Sequence, residues 1–123
     1  MRLLNDFFKI TKREERANGL SFEIALNPEH FIYKAHFPNN PITPGVCLTQ
    51  MATEILSEEC GEKLHIKEIT NIKFLSILSP AEHEKVTMDF SGLTEEERER
   101  KTKIIIHDNS ILFAKISMTF LHE

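Results

Sequence analysis

The chain has 123 residues, of which 41% are hydrophobic and 28% are charged, and its net charge at pH 7 is −4. This length suits a single domain, residues 1–123, built around one core. No apolar run reaches the roughly 18 residues of a membrane span, and no basic block is long enough to follow a phosphate backbone. A membrane span and a nucleic-acid partner are therefore not expected, and an acidic partner would have to meet a local basic patch.

Cysteine and histidine usage indicates the setting of the protein. Cys47 and Cys60 make no disulfide framework, which favours a reducing, cytoplasmic environment. The start of the chain turns polar too soon for a signal peptide. The six histidines are scattered, without the Cys or carboxylate spacing of a metal site, so neither a metal nor another cofactor is predicted.

The first third of the chain predicts two strands and a stiff loop. A short strand is expected over residues 7–12, and apolar and polar residues alternate over 20–26 with the period of a half-buried strand. Residues 30–35 are expected to form a helical turn. Three prolines within residues 38–44 then exclude helix and sheet and stiffen the loop.

A long helix is predicted from about Pro44 to Cys60. Thr43 is a favourable N-cap, and Pro44 would then occupy the first helical position, where proline is preferred. Gly61 is a suitable C-terminal stop. Apolar residues recur at helical spacing: Leu48, Met51, Ala52, Ile55 and Leu56.

The remainder of the chain has the pattern of strands. They are predicted over residues 66–78, 86–90, 103–107 and 112–120. The charged run 94–100 is expected to be a solvated turn or strand end, and Asp-Asn-Ser at 108–110 suits a tight hairpin turn. Two strands, one long helix and four strands predict an α+β domain with one antiparallel sheet and one principal helix.

The proline-rich loop connects a histidine to the N-terminus of this helix. Because Pro44 has no N–H and Thr43 would cap a later amide, the Gly45 N–H is a candidate free donor, and glycine has no side chain to block a ligand. Such a donor, helped by the helix dipole, can bind a carbonyl oxygen that gains negative charge. The neutral imidazole of His36 can exchange a proton near pH 7. Together they suit removal of a proton alpha to a carbonyl; the alternative is a histidine with only a structural role.

Residues 36–46 read H-F-P-N-N-P-I-T-P-G-V, which closely resembles the signature H-F-x-x-x-P-x-x-P-G of the β-hydroxyacyl-acyl-carrier-protein dehydratases. The resemblance implies a hotdog fold, in which an antiparallel β-sheet wraps around one long central α-helix. It implies that His36 removes the C2 proton of a 3-hydroxyacyl thioester and that the Gly45 N–H polarises the thioester carbonyl. Phe37, Pro44 and Val46 are the further candidate substrate-binding residues.

The same resemblance implies a reaction and partners. Water would be removed from a 3-hydroxyacyl group on an acyl carrier protein to give a trans-2-enoyl thioester, in fatty-acid synthesis or a related lipid or polyene pathway. The acyl chain would lie in an apolar tunnel along the helix. Family members form homodimers, in which the histidine of one subunit faces the helix of the other, and some assemble as trimers of dimers. Lys73 lies where the family tends to have basic residues near the pocket mouth.

The helix departs from the family pattern. The family places a Glu or Asp fourteen residues after the histidine, as the acid that protonates the leaving hydroxyl, and this chain has Gln50 there. Glu54, at a position where many members carry Gln, lies one turn further along the same helical face. An amide cannot deliver a proton. Three alternatives stay open: Glu54 acts through Gln50 or a water, His36 moves both protons while Gln50 positions the hydroxyl, or the protein binds acyl thioesters without dehydrating them.

Two further interpretations concern Glu54. A hotdog thioesterase needs an activated water or a carboxylate nucleophile, and Glu54 is the only helix carboxylate suited to that role. Alternatively, Glu54 is an ordinary glutamate on the helix surface, because charged helix residues usually face water.

Overall fold

The computed structural model describes residues 2–35 and 39–123. His36 and Phe37, which the sequence nominates for the site, lie outside the described residues. Within the described part, the chain forms β1 (Phe8–Arg16), β2 (Gly19–Leu26), α1 (Phe31–Ala35), α2 (Gly45–Cys60), β3 (Leu64–Phe74), β4 (Lys85–Glu96), β5 (Glu99–His107) and β6 (Leu112–His122). The predicted order of two strands, a long helix and four strands is confirmed.

The strands form one antiparallel sheet in the order β1-β2-β4-β5-β6-β3. Tight turns join β4 to β5 and β5 to β6, and in them Glu97 and Asn109 have positive φ angles of 56° and 78°. Asn109 lies in the predicted Asp-Asn-Ser hairpin, where an asparagine tolerates the left-handed backbone. Strand β3 pairs with β6, so β1 and β3 are the two edges of the sheet.

Helix α2 packs its apolar stripe against the sheet. The predicted positions are all buried, namely Leu48, Met51, Ala52, Ile55 and Leu56. They belong to the same buried cluster as apolar residues of the central strands, including Ile24, Met88, Phe90, Ile104, Ile106 and Phe120. Each leucine, isoleucine, methionine or phenylalanine side chain among them contributes about 1.5–3 kcal/mol when it leaves water. This burial fixes α2 on the sheet and thereby sets which of its faces remains for a site.

The N-terminus of α2 differs from the prediction. The helix begins at Gly45, with Pro44 as N-cap in extended conformation (φ −64°, ψ 144°) and without a side-chain cap. The Thr43 hydroxyl instead contacts the Tyr33 hydroxyl at 2.8 Å, and the Thr43 N–H donates to the Leu78 carbonyl at 2.8 Å. The prediction of Thr43 as the cap is wrong because the Thr43 hydroxyl contacts the buried Tyr33 hydroxyl instead of a backbone N–H of α2. Burial also raises the pKa of Tyr33, although its bond to Thr43 opposes this.

The other end of α2 is as predicted. Gly61 has the left-handed backbone of a helix stop, with φ 67°, and its N–H donates to the Glu58 carbonyl. Among the described residues, no helix has both the length and the apolar character required to cross a bilayer.

Several strand boundaries differ from the prediction. β4 extends to Glu96 instead of residue 90, and β5 begins at Glu99 instead of residue 103. β3 ends at Phe74 instead of residue 78, because the Leu75 and Ser76 N–H groups turn toward the Phe113 carbonyl. Leu78 is apolar because it enters the core, not because it continues the strand. β1 extends to Arg16, since its charged second half pairs with β2 as an edge strand.

Candidate active site

The N-terminus of α2 presents a backbone donor where the sequence predicted one. The N–H groups of Cys47 and Leu48 donate to the Pro44 carbonyl, at 3.0 and 3.4 Å. Within the described residues, the Gly45 N–H donates to no other group. Val46 beside it is exposed. The donor therefore lies at the positive end of the helix dipole and can bind an oxygen that gains negative charge.

The missing side chain of Gly45 makes room for an aromatic ring of the protein itself. A Cβ on Gly45 would lie 2.5 Å from Cζ of Phe74. Phe74 ends β3 and remains 56% exposed, so its ring forms part of the surface beside the Gly45 amide. The sequence did not single out Phe74, since an apolar residue at a strand end looks like any core residue. A glycine at this position leaves space for a ligand, as the sequence predicts. It also leaves space for the phenyl ring of Phe74.

Gly45→Ala is expected to leave the fold intact and to reduce activity. The added methyl group displaces the exposed Phe74 ring, while alanine gains about 0.5–1 kcal/mol over glycine in a helix, so stability should change by less than about 1 kcal/mol. A shifted ring beside the donor should lower the rate of the dehydration that the loop motif implies by about tenfold or more. Thermal melting checks the first expectation and an initial-rate assay the second. If the folded variant kept full activity, the Gly45 N–H would have no role in the reaction.

Glu54 is buried, with 6% of its surface exposed. Its carboxylate accepts the Leu3 N–H at Oε1 (3.0 Å) and Oε2 (2.8 Å), and the Leu4 N–H at Oε1 (2.7 Å). The Gln50 side-chain amide donates to Oε2 at 2.8 Å. The interpretation of Glu54 as a solvent-facing glutamate is therefore wrong. The cause is the segment before β1, some fifty residues earlier, which packs Leu3 and Leu4 over this side of α2.

The structure brings the described site candidates together on one helix. Gln50 and Glu54 are in contact one turn apart, as their spacing predicted. Gln50 lies five residues after Gly45, roughly 7.5 Å along the axis. Among the residues that the structure describes, no group of three or more His, Cys, Asp or Glu side chains is placed to hold a metal ion.

A groove of about 650 Å³ runs along this exposed flank of α2. Its lining comprises Arg2, Gln50, Thr53, Glu54, Ser57, Glu58, Gly61, Glu62, Lys63 and Leu64. Two of its hydroxyls are turned back to the helix, since Thr53 donates to the Thr49 carbonyl (2.8 Å) and Ser57 to the Thr53 carbonyl (2.7 Å). The groove places Gln50 at a surface that a ligand can reach. An apolar acyl tunnel along the helix stays a prediction.

Strand β3 carries a stripe of apolar side chains on the face of the sheet that meets the core. These side chains remain partly exposed because β3 is an edge strand. Ile66, Ile69 and Ile72 are each about 40% exposed. They pair with residues of β6 that face the core, namely Phe120, Met118 and Ile116, and two irregularities in the register keep them on that face. We call Ile66, Ile69, Ile72 and Phe74 the β3 stripe. It continues the hydrophobic core past an edge strand whose outer hydrogen-bonding groups have no neighbouring strand among the described residues.

Comparison with solved structures identifies the architecture. The dehydratase heterocomplex ApeI:P from Xenorhabdus doucetiae superposes with a TM-score of 0.71 at 16% identity, over 91% of this chain and 96% of that one. The putative thioesterase yhdA from Lactococcus lactis gives 0.66 at 17% identity, over 92% and 91%. A hypothetical thioesterase with coenzyme A from Streptococcus pneumoniae gives 0.62 at 11% identity, over 94% and 85%. At such identities these likenesses show the fold alone, and they confirm the expected hotdog fold.

The family is shown by sequence. The model of a family described as ApeI dehydratase matches residues 11–110. The chain belongs to this ApeI-like dehydratase family, which confirms the dehydratase relationship that the loop motif implied. The search among curated proteins found no match.

Proposed function

We propose that this protein is a 3-hydroxyacyl-[acyl-carrier-protein] dehydratase that forms a trans-2-enoyl thioester in fatty-acid or related lipid or polyene biosynthesis. The observation that carries the proposal is the Gly45 N–H at the start of α2, where the loop of the dehydratase motif ends. Membership of the ApeI-like family supports the same class of reaction.

The proposed chemistry follows from the donor and the histidine. The Gly45 N–H binds the thioester oxygen and stabilises the negative charge that develops when His36 removes the C2 proton. The electron pair of the broken C2–H bond forms the double bond, and the C3–O bond breaks. The hydroxyl takes up one proton and leaves as water, which balances the reaction.

A thioesterase is the alternative, and the likeness to two structures described as thioesterases supports it at the level of fold. It would need Glu54 to activate water or attack the thioester. Both carboxylate oxygens of Glu54 already accept hydrogen bonds from buried groups, so this role requires those bonds to break. The dehydratase is therefore the better-supported function.

One assay separates these functions. The protein is incubated with a 3-hydroxyacyl thioester of an acyl carrier protein, and enoyl product and free thiol are measured together. Enoyl product without thiol is the expected result. Release of thiol without enoyl product would establish a thioesterase, and binding of the thioester with neither product would establish a non-catalytic acyl-binding subunit.

We further propose that two copies of the chain associate along their β3 edges as a homodimer. Adding a strand would satisfy the edge hydrogen bonds and cover the β3 stripe, whereas the opposite edge, β1, is protected by charged residues such as Lys12 and Arg13. Further assembly into a trimer of dimers remains an expectation from the family resemblance.

Placing a charge on the β3 stripe is expected to convert the dimer to monomers. Ile69→Lys would bury an ammonium group in the proposed contact, at a cost of several kcal/mol. Light scattering coupled to size exclusion measures the mass. The matched control is Ile111→Lys, which changes an equally exposed isoleucine in the β5–β6 turn. A wild-type monomer, or an Ile69→Lys dimer, would contradict the homodimer.

The Xenorhabdus doucetiae dehydratase is a heterocomplex, so a second, different subunit is the competing partner for the same edge. Wild-type monomers without activity would favour it. The acyl carrier protein is proposed as the substrate carrier, with Lys73 on β3 as a candidate contact. The cytoplasmic setting stays a prediction from cysteine usage.

A further inference from the structure

The outer face of the sheet, which points away from α2, is paired in charge along β1, β2 and the start of β4. The Glu14 carboxylate lies 2.8 Å from the ammonium group of Lys12 and 2.8 Å from the guanidinium group of Arg16. The Glu23 carboxylate lies 4.0 Å from the ammonium group of Lys85. Positive and negative groups alternate here, so this half of the outer face has no concentration of one sign of charge.

Three lysines share the other half of the outer face, where β3, β6 and β5 lie side by side. Lys73 is directly opposite Lys115 in the register of β3 and β6. Lys103 on β5 is directly opposite Ser117, two residues along β6 from Lys115. All three lysines are exposed, and the residues on either side of Lys103 and Lys115 are buried, so alternation along the strands directs these side chains outward. We call Lys73, Lys103 and Lys115 the lysine face.

The ammonium groups of the lysine face have no counter-charge within the part of the chain that the structure describes, because no carboxylate there forms an ion pair with them. Asp89 lies in the same row of the sheet, two strands from Lys115, but its carboxylate contacts His107 at 2.7 Å. Like charges directly opposite each other on neighbouring strands lower stability, so the facing pair Lys73 and Lys115 is a cost to the isolated protein. In a chain of net charge −4, this concentration of positive charge indicates a negatively charged partner.

The lysine face adjoins the Gly45 donor at the end of β3. Lys73 directly precedes Phe74, the last residue of β3, whose ring would lie 2.5 Å from a Cβ on Gly45. Successive residues of a strand point to opposite faces of the sheet, so a partner on the lysine face and the Gly45 N–H lie on opposite sides of the same strand end. A flexible arm that passes round the end of β3 would connect the two.

We propose that the lysine face is the docking surface for an acyl carrier protein. Carboxylates of the carrier contact Lys73, Lys103 and Lys115, and its arm brings the acyl group round the end of β3 to the Gly45 N–H. This inference rests on the proposed dehydratase function and assigns the partner of that function to a surface. The attraction extends over about 8 Å at physiological ionic strength, so it guides the carrier to this face and fixes its orientation there.

The first test reverses the charge at the centre of the lysine face. Lys115→Glu should weaken binding of a fatty-acid acyl carrier protein by about tenfold or more, measured by titration calorimetry at low salt. The carrier is used without its phosphopantetheine arm, so that only the contact between the two protein surfaces is measured. The melting temperature should not fall, because the new carboxylate is opposite Lys73 and pairs with it. Weaker binding by a variant that is no less stable is the result expected of a docking surface.

Lys12→Glu is the matched control, since it makes the same charge reversal on β1, in the paired half of the same face. Its affinity for the carrier should stay within about twofold of the wild type. Should Lys115→Glu fail to fold, Lys115→Gln removes the charge without reversing it and should weaken binding about threefold. Added salt should weaken binding of the wild type more than that of either Lys115 variant.

Kinetics with two substrates separate docking from chemistry. Lys115→Glu should raise KM for a 3-hydroxyacyl carrier thioester about tenfold, whereas kcat/KM for the same acyl group on a short pantetheine thioester should stay within about twofold. An equal loss on both substrates would indicate an effect on the fold and would overturn the docking surface. It is also overturned if the wild type does not bind the carrier, if binding is insensitive to salt, or if Lys115→Glu binds as tightly as Lys12→Glu. Wild-type protein that binds the carrier through Lys115 but forms no enoyl product from either thioester overturns the dehydratase function alone.

Discussion

Replacing His36 with alanine is expected to lower the rate of enoyl formation by about 10²–10⁴-fold, the usual contribution of a general base. In the proposed mechanism this residue removes the C2 proton, so its loss affects the step that generates the negative charge. The rate is measured from enoyl product formed on a 3-hydroxyacyl carrier thioester. Binding of the substrate should change much less, because the Gly45 N–H and the remaining surface are intact.

His65→Ala is the control for this variant. His65 is an exposed histidine on β3 whose side chain contacts Glu123, far along the chain from the motif. Its loss should leave the rate within about twofold of the wild type, as is usual for surface substitutions away from a site. If His36→Ala retained more than a tenth of the wild-type rate in a folded protein, another group would have to be the base.

Glu54→Leu is expected to destabilise the protein by about 3 kcal/mol or more. Leucine cannot accept hydrogen bonds, so the N–H groups of Leu3 and Leu4 and the Gln50 amide lose their acceptor, and each buried unsatisfied donor costs about 1–3 kcal/mol. Part of this cost is offset because the charge is no longer buried. Chemical denaturation gives the change in the free energy of unfolding, and the melting temperature should fall by roughly 10 °C.

Glu58→Leu provides the comparison, since it removes a carboxylate from the same helix. Glu58 is exposed, and its carboxylate contacts the exposed Arg2 side chain at 3.5 Å; such surface pairs contribute less than about 1 kcal/mol. Its stability should therefore remain within about 0.5 kcal/mol of the wild type. Equal effects of the two substitutions would mean that the segment before β1 is not anchored by Glu54.

Local patterns were sufficient to predict the elements of the fold. The alternation over 20–26 gives β2, and the spacing of Leu48, Met51 and Ile55 gives α2, because burial on one face imposes a period on the sequence. Gly61 ends the helix as expected, since few other residues adopt its backbone conformation. The loop motif likewise pointed to the dehydratase family from residues close together in the chain.

The predictions that were wrong depend on contacts between distant segments. Thr43 has the chemistry of an N-cap, but its hydroxyl is taken by Tyr33, which arrives from α1. Strand β3 stops before residue 78 because Phe113 on β6 redirects the chain. A local sequence pattern cannot predict a hydrogen-bond partner that only folding brings close from another segment of the chain.

The sequence by itself determined the α+β hotdog architecture, the dehydratase family and the Gln50–Glu54 pair on one helical face. Only the tertiary structure decided which contacts Gln50 and Glu54 make and how deeply Glu54 is buried. It buries Glu54 beneath Leu3 and Leu4, satisfies the carboxylate with backbone N–H groups and turns the Gln50 nitrogen toward it. The physical reason is that a helical period fixes which residues are neighbours on a helix, whereas a distant segment of the chain determines whether their face meets water or protein.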